Sequence, residues 1–196
     1  LFGGTFDPIH IGHLIIAETA VDFLDLDELL FIPTLIPPHK YHCHVTLAEH
    51  RFNMVKLAIR GNPKFTASRV ELERKGRSFT VDTLRLIHQY YDSQAHLFLI
   101  IGGDSLLDFT SWKSPEQITE LCQLVVASRP DFDTTTADPS LLKKVIHLPT
   151  PLLEISSSSI RKKVTSGKSI RYLVPDDVLA YIRKNQLYES RKLYST

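Results

Sequence analysis

The residues whose types and spacing could do chemistry are mostly basic, and they lie near the two ends of the chain. His10 and His13 stand three residues apart, so on a helix that begins near His10 they share a face. Two imidazoles at the positive end of a helix make a poor metal cage but a good clamp for a phosphate. Just ahead of them Gly3 and Gly4 lack a Cβ, which lets the backbone come close to an anion. Lys40 follows Pro37-Pro38-His39 on a stiffened loop, where a lysine can reach a phosphate as a point charge. Towards the other end, Ser156 to Ser159 offer hydroxyls and N–H groups at a helix start. Arg161 adds a fork of charged donors one turn further on. There is no convincing Ser–His–Asp or Cys–His arrangement for covalent catalysis. His39, His42, Cys43 and His44 are four borderline ligands close together. Their spacing matches no closed zinc site, and adjacent residues cannot easily all face one ion, so no metal ligand is assigned.

These residues need elements to position them. Leu1-Phe2 reads as the end of a strand, and Leu14, Ala17, Val21 and Leu24 fall on one face of a helix. The glycine-rich stretch is thus a strand-to-helix turn, where an α/β sheet presents free N–H groups. Leu29 to Ile32 is a short buried strand stopped by Pro33, and residues 34–45 read as loop. Thr46 to Glu49 has the form of a capping box for a helix with Met54, Leu57 and Ala58 on one side. Phe65 to Leu72 alternates loosely and carries Arg69 and Glu71, which predicts a more exposed strand. Thr80 is expected to cap a helix with Val81, Leu84 and Ile87 inside. Leu97 to Ile101 is the most apolar strand, Ser114-Pro115 opens another helix, and Leu124 to Ala127 and Val145 to Leu148 complete the strands. From Ser157 the chain is helical, interrupted at Gly167 and restarting after Pro175.

This alternation of strands and helices predicts an α/β class with a doubly wound, mainly parallel sheet and a small C-terminal helical appendage. The main domain is expected over residues 1–155, with 156–196 packed on it as part of the same unit, since about 40 residues seldom fold alone. The chain has 196 residues, 43% hydrophobic and 23% charged, which suits one compact domain. A net charge of +1 supplies no basic field for nucleic acid or an anionic membrane. Two cysteines offer no disulfide framework and fit a reducing cytoplasm. No apolar run approaches the roughly 20 residues of a membrane span. No signal peptide is visible. The chain opens on Leu1 with a truncated strand, from which a few preceding residues are expected.

His10-Ile11-Gly12-His13 resembles the HxGH signature of the nucleotidyltransferase superfamily. The longer string GGTFDPIHIGH is similar to bacterial nicotinate mononucleotide adenylyltransferases. Five further matches follow in order: Pro37-Pro38-His39-Lys40, the segment Gly76 to Leu84, Gly102 to Leu106, Ser128-Arg129-Pro130 and Ile155 to Arg161. The resemblance implies a Rossmann-like fold and an adenylyltransferase that uses ATP and nicotinate mononucleotide. It assigns catalysis to His10, His13, Lys40 and Arg161. It places Gly3, Gly4, Thr5, Phe6, His10, His13, Lys40, Gly102, Asp104, Ser105, Arg129, Ile155, Ser156, Ser158 and Arg161 at ATP. It places Phe79, Thr80, Trp112 and Lys113 at the mononucleotide, with Trp112 stacked on the pyridine. Asp104 follows the end of a parallel strand, where open sheets bind ligands, and is assigned to the ribose or adenine side. Two positions depart from the family pattern. Phe79 keeps the aromatic ring but lacks the usual tyrosine hydroxyl, and Ser158 replaces a threonine.

The reaction so implied is attack by the mononucleotide phosphate on the α-phosphorus of ATP. It releases pyrophosphate, with Mg²⁺ held on the phosphates mostly by ATP and water. The runner-up is a sibling HxGH nucleotidyltransferase acting on nicotinamide mononucleotide or another phosphate ester. A non-catalytic nucleotide-binding module comes third. Neither nucleic acid nor membrane is expected as a partner, and a homo-oligomer is compatible with the sequence.

Overall fold

The computed structural model describes residues 1–35, 45–74, 76–91, 95–127, 138–151 and 153–189. Six strands form one sheet: β1 (Phe2–Gly4), β2 (Leu29–Pro33), β3 (Phe65–Ala67), β4 (Phe98–Gly102), β5 (Gln123–Ala127) and β6 (Ile146–Leu148). Their order across the sheet is β3-β2-β1-β4-β5-β6, and every neighbouring pair is parallel. This is the strand order of a Rossmann-like sheet, the fold class expected from the sequence. The connections include α1 (Ile11–Leu24), α2 (Ala48–Ile59), α3 (Thr80–Tyr90), the short α4 (Gly103–Leu107), α5 (Pro115–Leu121) and α6 (Pro139–Leu142). Two helices close the described chain, α7 (Ser157–Thr165) and α8 (Asp176–Lys184). No described helix is long and apolar enough to cross a membrane.

The sheet is buried on both faces, which is why its strands read as apolar runs rather than alternating ones. All of β2 is buried, and its residues divide by parity. Leu29 and Phe31 join Phe2, Ile100 and Val125 in a core under α1, α2, α7 and α8. Leu30 and Ile32 join Leu99, Ile101 and Val126 in a second core under α3 and α5. The C-terminal helices contribute Ile160, Val178, Leu179 and Ile182 to the first of these cores.

Three local expectations are corrected. The strand predicted over Phe65 to Leu72 ends at Ala67, and Glu71 is buried rather than exposed. Thr46 does not cap α2. Leu47 takes that position with no side-chain bond, because the Thr46 backbone is committed to Asp7 and Arg51. Nor does Thr80 cap α3. Phe79 is the capping residue, and its carbonyl already accepts the N–H groups of Asp82 at 3.1 Å and Thr83 at 3.2 Å.

Strand order reverses between β1 and β4, so the loops leaving these two strands part from one another. Such a switch point opens a crevice at the carboxyl ends of the strands, where ligands bind. The loop after β1 carries Thr5 to His10, and α4 after β4 carries Asp104 and Ser105.

Candidate active site

His10 is the cap residue of α1, in extended backbone conformation, and only 2% of it is exposed. His13, one turn on, stacks its ring on that of His10 with centroids 3.6 Å apart and planes 23° from parallel. The His10 N–H donates to His13 Nδ1 at 3.2 Å. A nitrogen that accepts carries no proton, so the neutral His13 ring holds its proton on Nε2. His13 can therefore donate from its far side to an oxyanion. Gly12 is what permits this packing. A Cβ there would lie 3.2 Å from His10 Nδ1 and 3.3 Å from its Cε1.

The glycines before this pair have different tasks. A Cβ on Gly3 would meet nothing within 4 Å, whereas one on Gly4 would strike the Phe6 ring at 3.0–3.2 Å. Phe6 adopts a left-handed backbone (φ 48°) that folds its ring back under the loop. There it lies edge-on to His13 at 5.0 Å and to Phe2 at 5.7 Å. The Phe6 side chain is thus a buried support for His13, and its ring is closed off from solvent.

Beside the loop opens a cleft of about 460 Å³. Gly3, Gly4 and Thr5 form one wall, and Phe79, Thr80, Trp112 and Lys113 form another. Gly102, Asp104 and Ser105, assigned from sequence to ATP, line this same cleft with the mononucleotide candidates. A Cβ on Gly102 would lie 2.5 Å from Asp104 Oδ1, so this glycine lets the carboxylate fold back towards the strand end. Lys113 Nζ sits 4.7 Å above the Phe79 ring and 3.0 Å from Asp82 Oδ2. The ring that lacks a hydroxyl therefore carries a cation on its face. Thr80 begins α3, so its N–H and that of Val81 belong to the first turn, whose donors have no intrahelical partners.

His10 and His13 are not among the residues that line this cleft; His10 lines a separate cavity of only about 20 Å³ with Gly12 and Ile155, at the approach to α7. In the serine run after Ile155, Ser156 is the true cap, accepting the Ser159 N–H at 3.2 Å. Ser157 instead donates its hydroxyl to the Pro8 carbonyl at 2.9 Å, and Ser158 shares a 3.1 Å contact with Ser156. Arg161 Nη1 donates to the Asp7 carbonyl at 2.7 Å. The end of the guanidinium thus braces the loop that carries His10. Lys40 and Arg129 lie outside the described residues, as does the cluster of His39, His42, Cys43 and His44. Among the described residues no group of three or more His, Cys, Asp or Glu could hold a metal ion.

Three residues of this region were not singled out by sequence. Glu71 is 7% exposed and lines the cleft, and the Thr83 hydroxyl donates to it at 2.8 Å. Burial pushes its carboxyl above the usual range, against that hydrogen bond. Tyr188 donates its hydroxyl to Asp7 Oδ1 at 2.7 Å, from a position 181 residues away. Burial, with Asp7 beside it, raises the Tyr188 phenol strongly. Arg51 is almost wholly buried among backbone carbonyls. No periodicity marks such residues.

The profile of the cytidylyltransferase-like family matches residues 1–163. A probable nicotinate-nucleotide adenylyltransferase of Thermomicrobium roseum is 45% identical, over 97% of this chain and 91% of its own. The nicotinate-nucleotide adenylyltransferase of Bacillus subtilis is 42% identical, over 97% of both chains. The fold is also that of the Plasmodium falciparum nicotinic acid mononucleotide adenylyltransferase complexed with NaAD. That match has a TM-score of 0.78 and 24% identity, and it covers 95% of each chain. This chain belongs to the nicotinate-nucleotide adenylyltransferase family, within the cytidylyltransferase-like proteins.

Proposed function

We infer that this protein joins ATP and nicotinate mononucleotide to give nicotinate adenine dinucleotide and pyrophosphate, a step of NAD biosynthesis. The observation that carries the mechanism is the stacked His10–His13 pair at the start of α1, on the loop that leaves β1 just after Gly3, Gly4 and Thr5 of the cleft wall. A phosphate oxygen of the mononucleotide attacks the α-phosphorus of ATP in line, and the bond to the pyrophosphate oxygen breaks. That nucleophile is already ionised at neutral pH, so the protein need supply neither a covalent nucleophile nor a strong base. Its tasks are positioning and charge stabilisation.

His13 donates from Nε2 to a phosphate oxygen as charge develops, and His10 holds its partner's ring in that orientation. Arg161 and Lys40 neutralise the leaving pyrophosphate, with Arg129 near the nucleotide. Gly3, Gly4 and Thr5 let the nucleotide approach the backbone. Trp112 stacks on the pyridine ring. The carboxylate of the mononucleotide meets the first-turn N–H groups of α3 and the Lys113 cation over Phe79. Mg²⁺ bound on the ATP phosphates would lower their charge. The cleft carries the Asp104 carboxylate but no cluster of three ligands among the described residues. That suits a cation held chiefly by phosphate and water. A cytoplasmic setting follows from substrates of this kind.

The test is pyrophosphate release with ATP and Mg²⁺, comparing nicotinate mononucleotide with its amide. Release with the acid and little with the amide is the expected result, because donors aimed at an anion lose a charged partner in the amide. Equal release with both would overturn the carboxylate pocket while keeping the chemistry. No release with either would overturn the function.

A further inference from the structure

Arg51 lies in the first turns of α2, outside the cleft, and is 1% exposed. A cation so buried is costly unless its donors are matched. Here the matching is nearly complete. Nη1 donates to the Thr5 carbonyl at 2.7 Å. Nη2 donates to the carbonyls of Thr34 at 2.7 Å and Leu35 at 3.2 Å. Nε donates to the Thr46 carbonyl at 2.8 Å. The partners are all backbone, and they come from the β1 loop, the exit of β2 and the entry to α2. Burial lowers the guanidinium pKa, with Asp7 and Tyr188 opposing that shift.

Two of these partners, Thr5 and Thr34, themselves line the cleft. They are tied to each other through the strands as well, since the Thr34 N–H donates to the Gly4 carbonyl at 2.9 Å. A trans peptide carries its N–H opposite its C=O. With the carbonyls of Thr5 and Thr34 drawn onto the guanidinium, the N–H groups of Phe6 and Leu35 face away from it. Carbonyl oxygens are thereby turned from a cleft that must take several phosphates. Asp7 completes the arrangement. Its Oδ2 accepts the Thr46 N–H at 3.2 Å and its Oδ1 accepts the Tyr188 hydroxyl. Thr46 is thus held at its carbonyl by Arg51 and at its N–H by Asp7.

We propose that Arg51 is a positioning residue of the adenylyl transfer. Its buried fork sets the separation between the glycine-rich loop at Thr5 and the β2 exit at Thr34–Leu35, and so aligns the reacting phosphates. The proposal rests on the adenylyltransferase reading of the cleft. It predicts that the shape of the cation matters, and not the charge alone. A lysine is a point charge and cannot reach carbonyls on three separate segments at once.

The test compares wild type with Arg51→Lys, judged per folded molecule by circular dichroism. Two readouts are taken: steady-state pyrophosphate release, and ATP–Mg²⁺ affinity by calorimetric titration without mononucleotide. The expected result for Arg51→Lys is a kcat lower by about a hundredfold, the scale of a 1 Å misplacement. KM for the mononucleotide stays near wild type and ATP binding is weaker. In Arg51→Ala, guanidinium ion at millimolar concentration restores part of kcat and ammonium does not. Where Arg51→Ala does not fold, Arg51→Lys decides. A lysine variant with wild-type kcat and ATP affinity overturns the proposal, as does one whose loss only tracks its folded fraction. If wild type itself releases no pyrophosphate, the function reading fails. The ATP titration then decides the Arg51 proposal by itself.

Discussion

The two walls of the cleft are built differently. On the first side, the loop that runs on from Thr5 to His10 is held from several directions by buried or half-buried groups: Arg51, Arg161, Ser157 and Tyr188 all bond its backbone or the Asp7 carboxylate. The opposite wall is held by exposed or half-exposed contacts. Lys113 and Asp82 pair with side chains 47% and 28% exposed, and such pairs contribute little rigidity in water. Trp112 leans on Phe109 at 5.4 Å and remains partly open. The difference matches the tasks. Charge stabilisation in phosphoryl transfer depends on donors fixed in advance, because reorganising them during the reaction costs rate. Recognition of a flat ring and a carboxylate tolerates side chains that settle on the ligand.

With tasks divided in this way, damage to the first side lowers kcat and damage to the second raises KM. The largest effect is expected from His13→Ala, which removes one preorganised donor. Its kcat should fall by about 10²–10³, with KM for the mononucleotide little changed. Near wild-type turnover would remove His13 from the chemistry. Next is Trp112→Ala. Loss of a stacking surface of roughly 1 kcal/mol should raise KM for the mononucleotide severalfold and leave kcat nearly intact. A fall in kcat equal to that of His13→Ala would break the distinction between the walls.

The smallest effect is expected at Glu71, a buried residue of the cleft lining. Its folded pKa is raised by burial, so the folded chain keeps a proton that the unfolded chain releases above the ordinary carboxylate value. The stability this contributes is complete below that value and is lost as pH rises through the folded pKa. Glu71→Gln carries no such proton and can still accept from Thr83. Thermal midpoints measured from about pH 5 to 8 should therefore decline less in the variant than in wild type. Parallel declines would place the titrating group elsewhere.

Much of this was legible from sequence, for reasons that differ by residue. The strand-to-helix turn at Gly3–His13 is local, and its glycines, apolar stub and helical face announce it within a single stretch. The parallel sheet follows from short apolar runs separated by helical patterns, since strands covered on both faces must be apolar throughout. Glu71 and Thr46 were misread for the same physical reason. Glu71 sits in a charged stretch that suggests solvent, and Thr46 has the chemistry of a cap. Contacts with Thr83 in one case, and with Asp7 and Arg51 in the other, override these local preferences. Gly12 stood in the HxGH signature without a reason of its own until the His10 ring was seen lying against it.

The sequence by itself determined the element order, the apolar faces, the glycine turn and the residue types able to meet phosphates. These are properties of neighbours along the chain, set by backbone sterics and by periods of two and 3.6. Only the tertiary structure decided that His10 and His13 stack with a defined tautomer, and that Asp104 shares a cleft with Trp112. It also decided that one buried guanidinium ties three segments together. Those outcomes depend on where distant carbonyls and rings come to rest once the sheet has closed over its two cores, and no local rule along the chain encodes that.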